Sequence, residues 1–379
     1  MLKREYKNSG LMISALGLGM MRLPRVQEDK TDIDYAKAQE IVDYAYSHGI
    51  NYFDTAYPYH GGTSEEFTGK ALSKYPRDSF LLATKFPIWY ADSPADLERI
   101  FNEQLERTQA GYFDFYLLHA LNSERIKKVE EFKAYEFFSQ KKREGKIRHL
   151  GFSFHDVPES LEQICSLHEW DFAQIQLNYL DWEMQDAKRQ YEILTEHGIP
   201  VIVMEPVRGG ALAHPCAESE RIFEEAAPGK SAASWAIRYA ESLPNVLVVL
   251  SGMSSMDQIK DNVATMSDFR PLTDADRVVV QKALDAYKAH KTIPCTGCRY
   301  CMDCPFGVDI PLVFQVYNRY RLDGSKDKFR KAYDQVPESS RAEHCQACGA
   351  CMTQCPQSIE IPERMKEIDA LWKEVNQPK

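Results

Sequence analysis

The sequence predicts an α/β protein in which a closed barrel of eight strand–helix units is followed by a small, mostly helical second domain. Short apolar runs alternate with amphipathic helical patterns through about the first 285 residues. Eight such units in that length match the size of a (β/α)8, or TIM, barrel. The remainder of the chain differs in composition, because eight of the ten cysteines follow residue 290.

The first unit shows how the elements are assigned. The apolar run SALGLGMMR precedes DYAKAQEIVDYAYSHG, where Ala38, Ile41, Val42 and Ala45 recur at the spacing of one helical face. Gly49 follows as a helix stop signal. The other strands are predicted in NYFDTA, SFLLATKF, DFYLLHA, RHLGFSFH, FAQIQLNYL, IPVIVMEP and NVLVVLSGM. The helices between and after them are predicted in SEEFTGKALSKY, PADLERIFNEQLERT, VEEFKAYEFFSQKKREG, PESLEQICSLHE, DAKRQYEILTEHG, KSAASWAIRYAESL and SMDQIKDNVATMS.

The barrel pattern fades after the segment PLTDADRVVVQKALDAYKAHKTIP. We therefore place the barrel at residues 1–285 and the second domain at residues 286–379. In the second domain, Val313, Val316 and Tyr317 fall on one helical face. A segment rich in Lys and Arg follows, and it predicts a second, solvated helix.

Composition excludes several classes of function. The net charge of −10 and the lack of a dense Lys/Arg stripe argue against a nucleic-acid surface. The first ten residues lack the apolar core of a secretory signal, and no apolar run reaches 18 residues, so no membrane span is expected. These features predict a cytoplasmic protein, and in a reducing compartment clustered cysteines favour metal ligation over disulfides.

Polar residues stand at the ends of successive predicted strands, where the loops of a barrel meet. Strand two ends in Asp54 and is followed by Tyr59, strand three ends in Lys85, and strand four ends in His119. Reducing a carbonyl by hydride transfer requires an acid that protonates the oxygen and polar groups that hold it. A phenol can serve as that acid when a neighbouring ammonium stabilises the phenolate.

The segments FDTAYPY, LLATKF and FYLLHA resemble the signatures of the aldo–keto reductases, which reduce aldehydes and ketones with a nicotinamide cofactor. The resemblance implies that Tyr59 is the general acid, that Lys85 tunes it, that Asp54 supports Lys85, and that His119 orients the substrate. Tyr59 is chosen over Tyr57 because it lies five residues after Asp54, as in the family's motif.

The same resemblance implies residues that hold the cofactor, which is NADP or NAD. Ser153 and Gln176 match the contacts to the nicotinamide carboxamide, and Met204 replaces the aromatic that usually stacks on the ring. Many relatives carry a basic residue in place of Ser254 to pair with a 2′-phosphate, and Lys260 is the substitute this chain offers. The expected pyrophosphate contacts are Arg208, Gly209 and Gly210, and the expected contacts to the adenosine phosphate are Gly252, Ser254, Gln258 and Asn262.

The last cysteine run, CQACGACMTQCP, has the spacing C-x-x-C-x-x-C-x-x-x-C-P of bacterial ferredoxins. The earlier run, CTGCRYCMDCP, is one residue shorter before its last cysteine. In two-cluster ferredoxins the cysteine before proline ligates the other cluster. This rule predicts two 4Fe–4S clusters, one held by Cys295, Cys298, Cys301 and Cys355, the other by Cys345, Cys348, Cys351 and Cys304.

Other hypotheses remain open at this point. The cysteines would also suit two zinc sites or, less readily in a reducing compartment, disulfides. The leading function is an NAD(P)H-dependent oxidoreductase acting on small carbonyl substrates, with clusters that exchange electrons with a redox partner protein. The alternative is an electron-transfer or redox-sensing protein whose barrel serves as a docking scaffold. Phe154, Met204 and Ser254 depart from the family's pattern and favour that alternative.

Overall fold

The computed structural model describes residues 1–27, 32–302 and 304–376 of the 379-residue chain. The chain divides into two compact units. The first comprises Met1–Pro206 and Ala236–Leu272, and the second comprises Val207–Trp235 and Thr273–Lys379. In the described part of the chain, no helix is both long enough and apolar enough to cross a membrane.

Eight strands of the first unit form a closed parallel barrel in sequence order, in which the last strand pairs with the first. This confirms the predicted TIM barrel. A short antiparallel pair, β1 and β2, precedes it, and its strands of three residues are too short for a periodic pattern to predict. The strands are β1 (Lys3–Glu5), β2 (Met12–Ser14), β3 (Leu16–Gly19), β4 (Tyr52–Asp54), β5 (Leu81–Phe86), β6 (Phe113–Leu121), β7 (Ile147–Phe154), β8 (Ala173–Gln176), β9 (Val201–Met204) and β10 (Val246–Ser251).

Helices follow the barrel strands and build the second unit. The α-helices are α1 (Tyr35–Ser47), α2 (Ser64–Leu72), α3 (Ala95–Thr108), α4 (Arg125–Glu131), α5 (Ala134–Arg143), α6 (Pro158–Leu167), α7 (Asp181–Met184), α8 (Ala187–Glu196), α9 (Ala217–Ala226), α10 (Ala232–Glu241), α11 (Met256–Ser267), α12 (Asp274–Lys288), α13 (Ile310–Asp323), α14 (Lys326–Asp334) and α15 (Ile361–Val375). Short 3₁₀ helices lie at Met20–Arg22, Tyr59–Gly62, Arg77–Ser79, Ile88–Tyr90, Arg208–Gly210, Glu338–Ser340 and Ala342–His344.

One predicted helix is two helices in the structure. The segment VEEFKAYEFFSQKKREG is interrupted between α4 and α5 at Lys133, which has a left-handed backbone with φ of 53°. Val129 and Phe138 are both fully buried. A continuous helix would place residues nine positions apart on opposite faces, since each residue turns the helix by about 100°. The interruption therefore allows both side chains to face the core.

The barrel strands are buried on both faces, which explains why they read as continuous apolar runs. All nine residues of β6 are buried. The second unit has its own core between α13, α14 and α15, which includes Phe314, Tyr333, Met365 and Trp372. Several cysteines pack against this core, so the cysteine-rich segment belongs to a folded body rather than to an extended tail.

The contact between α2 and α3 provides a test of the packing. A Cβ atom added to Gly69 of α2 would lie 2.4 Å from the carbonyl oxygen of Thr108 in α3. Alanine normally stabilises a helix by about 1 kcal/mol relative to glycine, but overpacking costs about 1–3 kcal/mol. We therefore expect Gly69→Ala to lower the free energy of unfolding, measured by urea denaturation.

Gly19→Ala is the matched control for this substitution. A Cβ atom at Gly19 would meet nothing closer than 3.5 Å, and its backbone φ is −85°, which alanine adopts readily. The control should keep the wild-type midpoint or raise it. A Gly69→Ala protein at least as stable as the control would contradict the close helix contact.

Candidate functional site

The predicted quartet lies along the carboxyl ends of three neighbouring barrel strands. Asp54 is the last residue of β4, Lys85 is one residue from the end of β5, and His119 is two residues from the end of β6. Tyr59 begins the 3₁₀ helix that follows β4. Because β5 pairs in parallel with both β4 and β6, these strands supply their side chains to the same end of the barrel.

A buried ion pair lies at the base of this site. The ammonium of Lys85 donates to the Asp54 carboxylate and, over 2.8 Å, to the carbonyl oxygen of Thr55. Lys85 and Asp54 are each 1% exposed. Burial raises the pKa of Asp54 and lowers the pKa of Lys85, and the attraction between the two groups opposes both shifts. The pair therefore holds the ammonium in one position while limiting the cost of its burial.

The Tyr59 ring lies beside both the ammonium and the imidazole. The Lys85 Nζ atom is 5.0 Å from the centroid of the Tyr59 ring. The ring centroids of Tyr59 and His119 are 5.9 Å apart, with the planes nearly perpendicular at 80°. Burial lowers the pKa of His119 well below its ordinary value, and the charge of Lys85 lowers it further. His119 is therefore a neutral hydrogen-bonding group beside the phenol at neutral pH.

The neighbouring tyrosine is engaged elsewhere. The hydroxyl of Tyr57 donates to the Glu103 carboxylate over 2.7 Å, and the Arg107 guanidinium lies 4.1 Å from the centre of the Tyr57 ring. Both partners belong to α3 on the outside of the barrel. Tyr57 therefore contacts α3, whereas Tyr59 lies beside Lys85 and His119. This difference agrees with the choice of Tyr59 from the sequence motif.

A cationic and aromatic group borders His119. Trp89 lies 5.1 Å from His119 between ring centroids, and the Arg125 guanidinium lies 4.3 Å from the centre of the Trp89 ring. Arg125 also donates to the carbonyl oxygen of Ala120 over 2.8 Å. Burial, followed by the charge of Arg125, lowers the pKa of His155 to about 4. This end of the site is therefore bordered by a guanidinium, an indole and two neutral imidazoles.

Two strand ends at this edge have a left-handed backbone at residues other than glycine. Ala120 in β6 has φ of 51°, and Glu205, directly after β9, has φ of 55°. The pairing of β6 with β7 shifts register between Leu118 and Leu121. Such conformations cost about 1–3 kcal/mol each and are enriched at functional sites. The left-handed backbones and the register shift lie at the strand ends where the sequence also has its polar residues.

Three predicted cofactor residues are brought together on β7, β8 and β9. Ser153 pairs with Gln174 of β8, and Gln176 pairs with Met204 of β9. The Ser153 hydroxyl accepts from the backbone N–H of Ala120 over 2.7 Å, which leaves its own proton able to donate. These residues can present a hydroxyl and an amide to a carboxamide, and the donor set suits the nicotinamide end of a dinucleotide.

The predicted phosphate loop lies before α11. Ser254 donates through its hydroxyl to the carbonyl oxygen of Arg22 over 2.6 Å, and its N–H donates to the Gln258 side chain over 2.7 Å. Asn262 donates to the Ser251 hydroxyl over 3.1 Å. The N-terminus of a helix favours a phosphate through its backbone N–H groups and dipole. The arrangement suits the adenosine phosphate of a dinucleotide.

The remaining predicted cofactor residues, Arg208, Gly209 and Gly210, belong to the second unit. The guanidinium of Arg208 is buried and donates to the Oε1 atom of Gln357 over 2.9 Å. A pyrophosphate contact by these residues remains a prediction.

The cysteines form two groups within the second unit. The first group lines one pocket together with apolar side chains, and burial raises the pKa of the Cys295 thiol to about 12. A thiol in such a pocket is neutral unless a metal centre compensates the thiolate charge. Four thiols that line one pocket fit a 4Fe–4S cubane, which has one iron atom for each thiolate. The thiols of this pocket are Cys295, Cys298, Cys301 and Cys355.

The second group surrounds Cys351. Burial raises the pKa of the Cys351 thiol, and the neighbouring thiols of Cys345, Cys304 and Cys348 contribute to that increase. Within the part of the chain that the structure describes, none of the ten cysteines forms a disulfide. Among the described residues, no three His, Cys, Asp or Glu side chains are arranged to hold a single metal ion.

Two family profiles match the chain. The profile of the aldo/keto reductase family matches residues 15–285, and that of a 4Fe-4S dicluster domain matches residues 294–360. The first match covers more than half of the chain, so the resemblance read from the sequence motifs is confirmed.

Individual relatives agree with this assignment. An uncharacterized oxidoreductase, YqkF, of Bacillus subtilis is 28% identical over 324 residues, which cover 77% of this chain and 100% of the relative. L-galactose dehydrogenase of Arabidopsis thaliana is 28% identical over 71% of this chain and 89% of its own. The holo form of aldo-keto reductase AKR11C1 from Bacillus halodurans has a TM-score of 0.62 and 30% identity, over 75% of this chain and 96% of its own. The chain is an oxidoreductase of the aldo/keto reductase family that carries a 4Fe-4S dicluster domain after its barrel.

Proposed function

We propose that this protein reduces the carbonyl group of small aldehydes or ketones with NADPH or NADH. We further propose that two 4Fe–4S clusters exchange electrons with a redox partner protein in the cytoplasm. The catalytic barrel would comprise residues 1–285 and the cluster domain residues 286–379. The observation that carries the proposal is the position of the Tyr59 ring beside both the Lys85 ammonium and the His119 imidazole.

The nicotinamide, when bound, supplies the hydride that adds to the carbonyl carbon. Ser153 and Gln176 would hold its carboxamide, and the N-terminus of α11 would receive the adenosine phosphate. Met204, at the end of β9, would lie against the nicotinamide in the place of an aromatic ring. The chain has Ser254 where a basic residue would favour a 2′-phosphate, so the proposal includes both cofactors.

The side chains of the quartet handle the proton. The Tyr59 hydroxyl gives its proton to the carbonyl oxygen as the hydride arrives, so that hydride and proton together convert the carbonyl to an alcohol. The Lys85 ammonium stabilises the phenolate that remains, because an adjacent positive charge favours the anionic form. Asp54 keeps that ammonium in place through the buried ion pair.

His119 would hold the carbonyl oxygen during this step. A neutral imidazole carries one N–H donor, and its low pKa keeps it neutral at physiological pH. A donor aimed at an oxygen that gains negative charge stabilises the transition state more than the ground state. Trp89 and Arg125 border His119 and would contact the remainder of the substrate.

The 4Fe–4S clusters, when bound, transfer one electron at a time. Hydride transfer moves two electrons together, so the two chemistries do not share a single step. We therefore assign carbonyl reduction to the barrel and single-electron exchange with a partner protein to the clusters. The eight thiols that follow residue 290 would hold the clusters, four in each of the two groups.

Replacing the proposed acid should abolish most of the activity. We expect Tyr59→Phe to lower kcat for NAD(P)H-dependent reduction of a panel of aldehydes by about 10²–10⁴-fold, the usual contribution of a general acid. Oxidation of the nicotinamide is measured by absorbance under anaerobic conditions. The visible absorption of the clusters should be unchanged in the same sample.

Tyr57→Phe is the matched control, because it removes the same hydroxyl from a ring that contacts Glu103 and Arg107. It should keep activity within a few-fold of wild type. Equal losses in the two variants would contradict the assignment of Tyr59. A wild-type protein that reduces no carbonyl of the panel, but accepts electrons on its clusters, would instead support an electron carrier with a scaffold barrel.

The grouping of the thiols predicts how paired cysteine substitutions combine. Cys295→Ser and Cys355→Ser should each remove the same cluster, so the double variant should retain about half of the iron, like each single variant. Cys345→Ser with Cys355→Ser should remove both clusters and nearly all of the iron. Iron is measured per chain after anaerobic purification.

Cys165→Ser is the control, because Cys165 is a buried thiol of α6 in the first unit. It should retain the wild-type iron content. If each run of four cysteines instead held its own cluster, the two double variants would exchange their results. That outcome would overturn the pairing of Cys355 with the first run.

A further inference from the structure

Arg208 is a buried guanidinium in the same unit as the cluster-binding cysteines. It follows β9 by four residues in the sequence and is 2% exposed. Its guanidinium donates to Gln357, which is 6% exposed and lies two residues after Cys355. Arginine is seldom buried to this extent without a partner that compensates its loss of water. The hydrogen bond to Gln357 therefore fixes the position of a positive charge within the second unit.

The backbone next to Arg208 is fitted against the first cysteine run. Gly209 has φ of 63°, and a Cβ atom on it would lie 2.0 Å from the carbonyl oxygen of Thr296. Only glycine permits this approach, because any side chain would overlap the carbonyl. Thr296 directly follows Cys295 and is 4% exposed. Gly209 thus packs on the first cysteine run, and Arg208 is hydrogen-bonded to Gln357, which lies two residues after Cys355.

The Arg208 guanidinium lies beside the pocket that the first thiol group lines. It donates to Gln357 over 2.9 Å, and its neighbour Gly209 packs on Thr296. Gln357 and Thr296 line the same pocket as Cys295 and Cys355. The cation therefore lies close to the proposed position of the first cluster.

Reduction of a cluster adds one electron and one negative charge. In a buried pocket this added charge is penalised by the low local dielectric, and a nearby cation offsets the penalty. Net charge, hydrogen bonds and solvent exposure set the potential of an iron–sulfur cluster. Arg208 supplies such a cation, held beside the pocket by its hydrogen bond to Gln357.

We propose that Arg208 is a positioning residue of the iron–sulfur domain that raises the reduction potential of the cluster held by Cys295, Cys298, Cys301 and Cys355. The inference rests on the proposed clusters. It assigns to the segment after β9 a role toward the cluster, in addition to the predicted contact with a cofactor pyrophosphate.

The experiment is an anaerobic redox titration of the full-length protein with dithionite, followed by electron paramagnetic resonance. Arg208→Gln should move one of the two midpoint potentials to a lower value and leave the other unchanged. A tenfold loss in the equilibrium constant for reduction corresponds to about 59 mV for one electron. Arg208→Lys keeps the charge and should retain most of the wild-type potential. Gln357→Glu places a carboxylate beside the guanidinium and should also lower that midpoint.

Arg330→Gln is the matched control, because it makes the same substitution at an exposed position on α14 of the same unit. Both of its midpoints should equal those of wild type. If the Arg208→Gln protein does not retain the cluster, the midpoint potentials of the Gln357→Glu and Arg208→Lys proteins test the inference instead. Loaded clusters with unchanged midpoints in Arg208→Gln and Gln357→Glu would overturn the inference. A wild-type protein without an iron–sulfur signal would instead overturn the proposed clusters.

Discussion

The buried ion pair between Lys85 and Asp54 is the interaction on which the geometry of the candidate site depends. Withdrawing either charge from water costs several kcal/mol, and a single buried charge left without its partner costs about 3–5 kcal/mol. The pair exists because β4 and β5 are adjacent and in parallel register, with Asp54 opposite Ala83 and Lys85 two residues further along. Closure of the barrel thus determines where the ammonium lies. The phenol of Tyr59 and the imidazole of His119 are arranged around that ammonium.

The second unit differs from the barrel, because its candidate ligands are thiols that pack against an apolar core. Cys295, Cys301 and Cys351 all have a raised pKa, caused first by burial. Neutral thiols make few strong interactions, whereas thiolates would require positive charge close by. Metal binding supplies that charge, so metal binding and the packing of this region are coupled. The core around Phe314 and Trp372 gives the cysteine segments a fixed surface to pack on.

The barrel, and the clustering of the quartet at one end of it, were predictable because both depend on local patterns. Parallel strands buried on two faces give apolar runs. Each quartet residue lies at the end of such a run or shortly after it. The spacing from Asp54 to Tyr59, as in the family's motif, selected Tyr59 over Tyr57. Arg125 was not identified, because it lies after a strand end, where position depends on the path of the loop rather than on periodicity. The break at Lys133 was missed because the helical pattern continues on both sides of it. Helix packing at Gly69 likewise depends on Thr108, which is far away in sequence.

The segment after β9 shows how a few residues can be shaped by a distant part of the chain. Glu205, Arg208, Gly209 and Gly210 all have positive φ, and two of them are not glycine. A segment with this backbone is strained in isolation and persists only where its surroundings hold it. For Arg208 and Gly209 the surroundings are Gln357 and Thr296, which lie 149 and 87 positions away in the sequence. The conformation of the segment that follows a barrel strand is therefore set by contacts with the residues beside the cysteines.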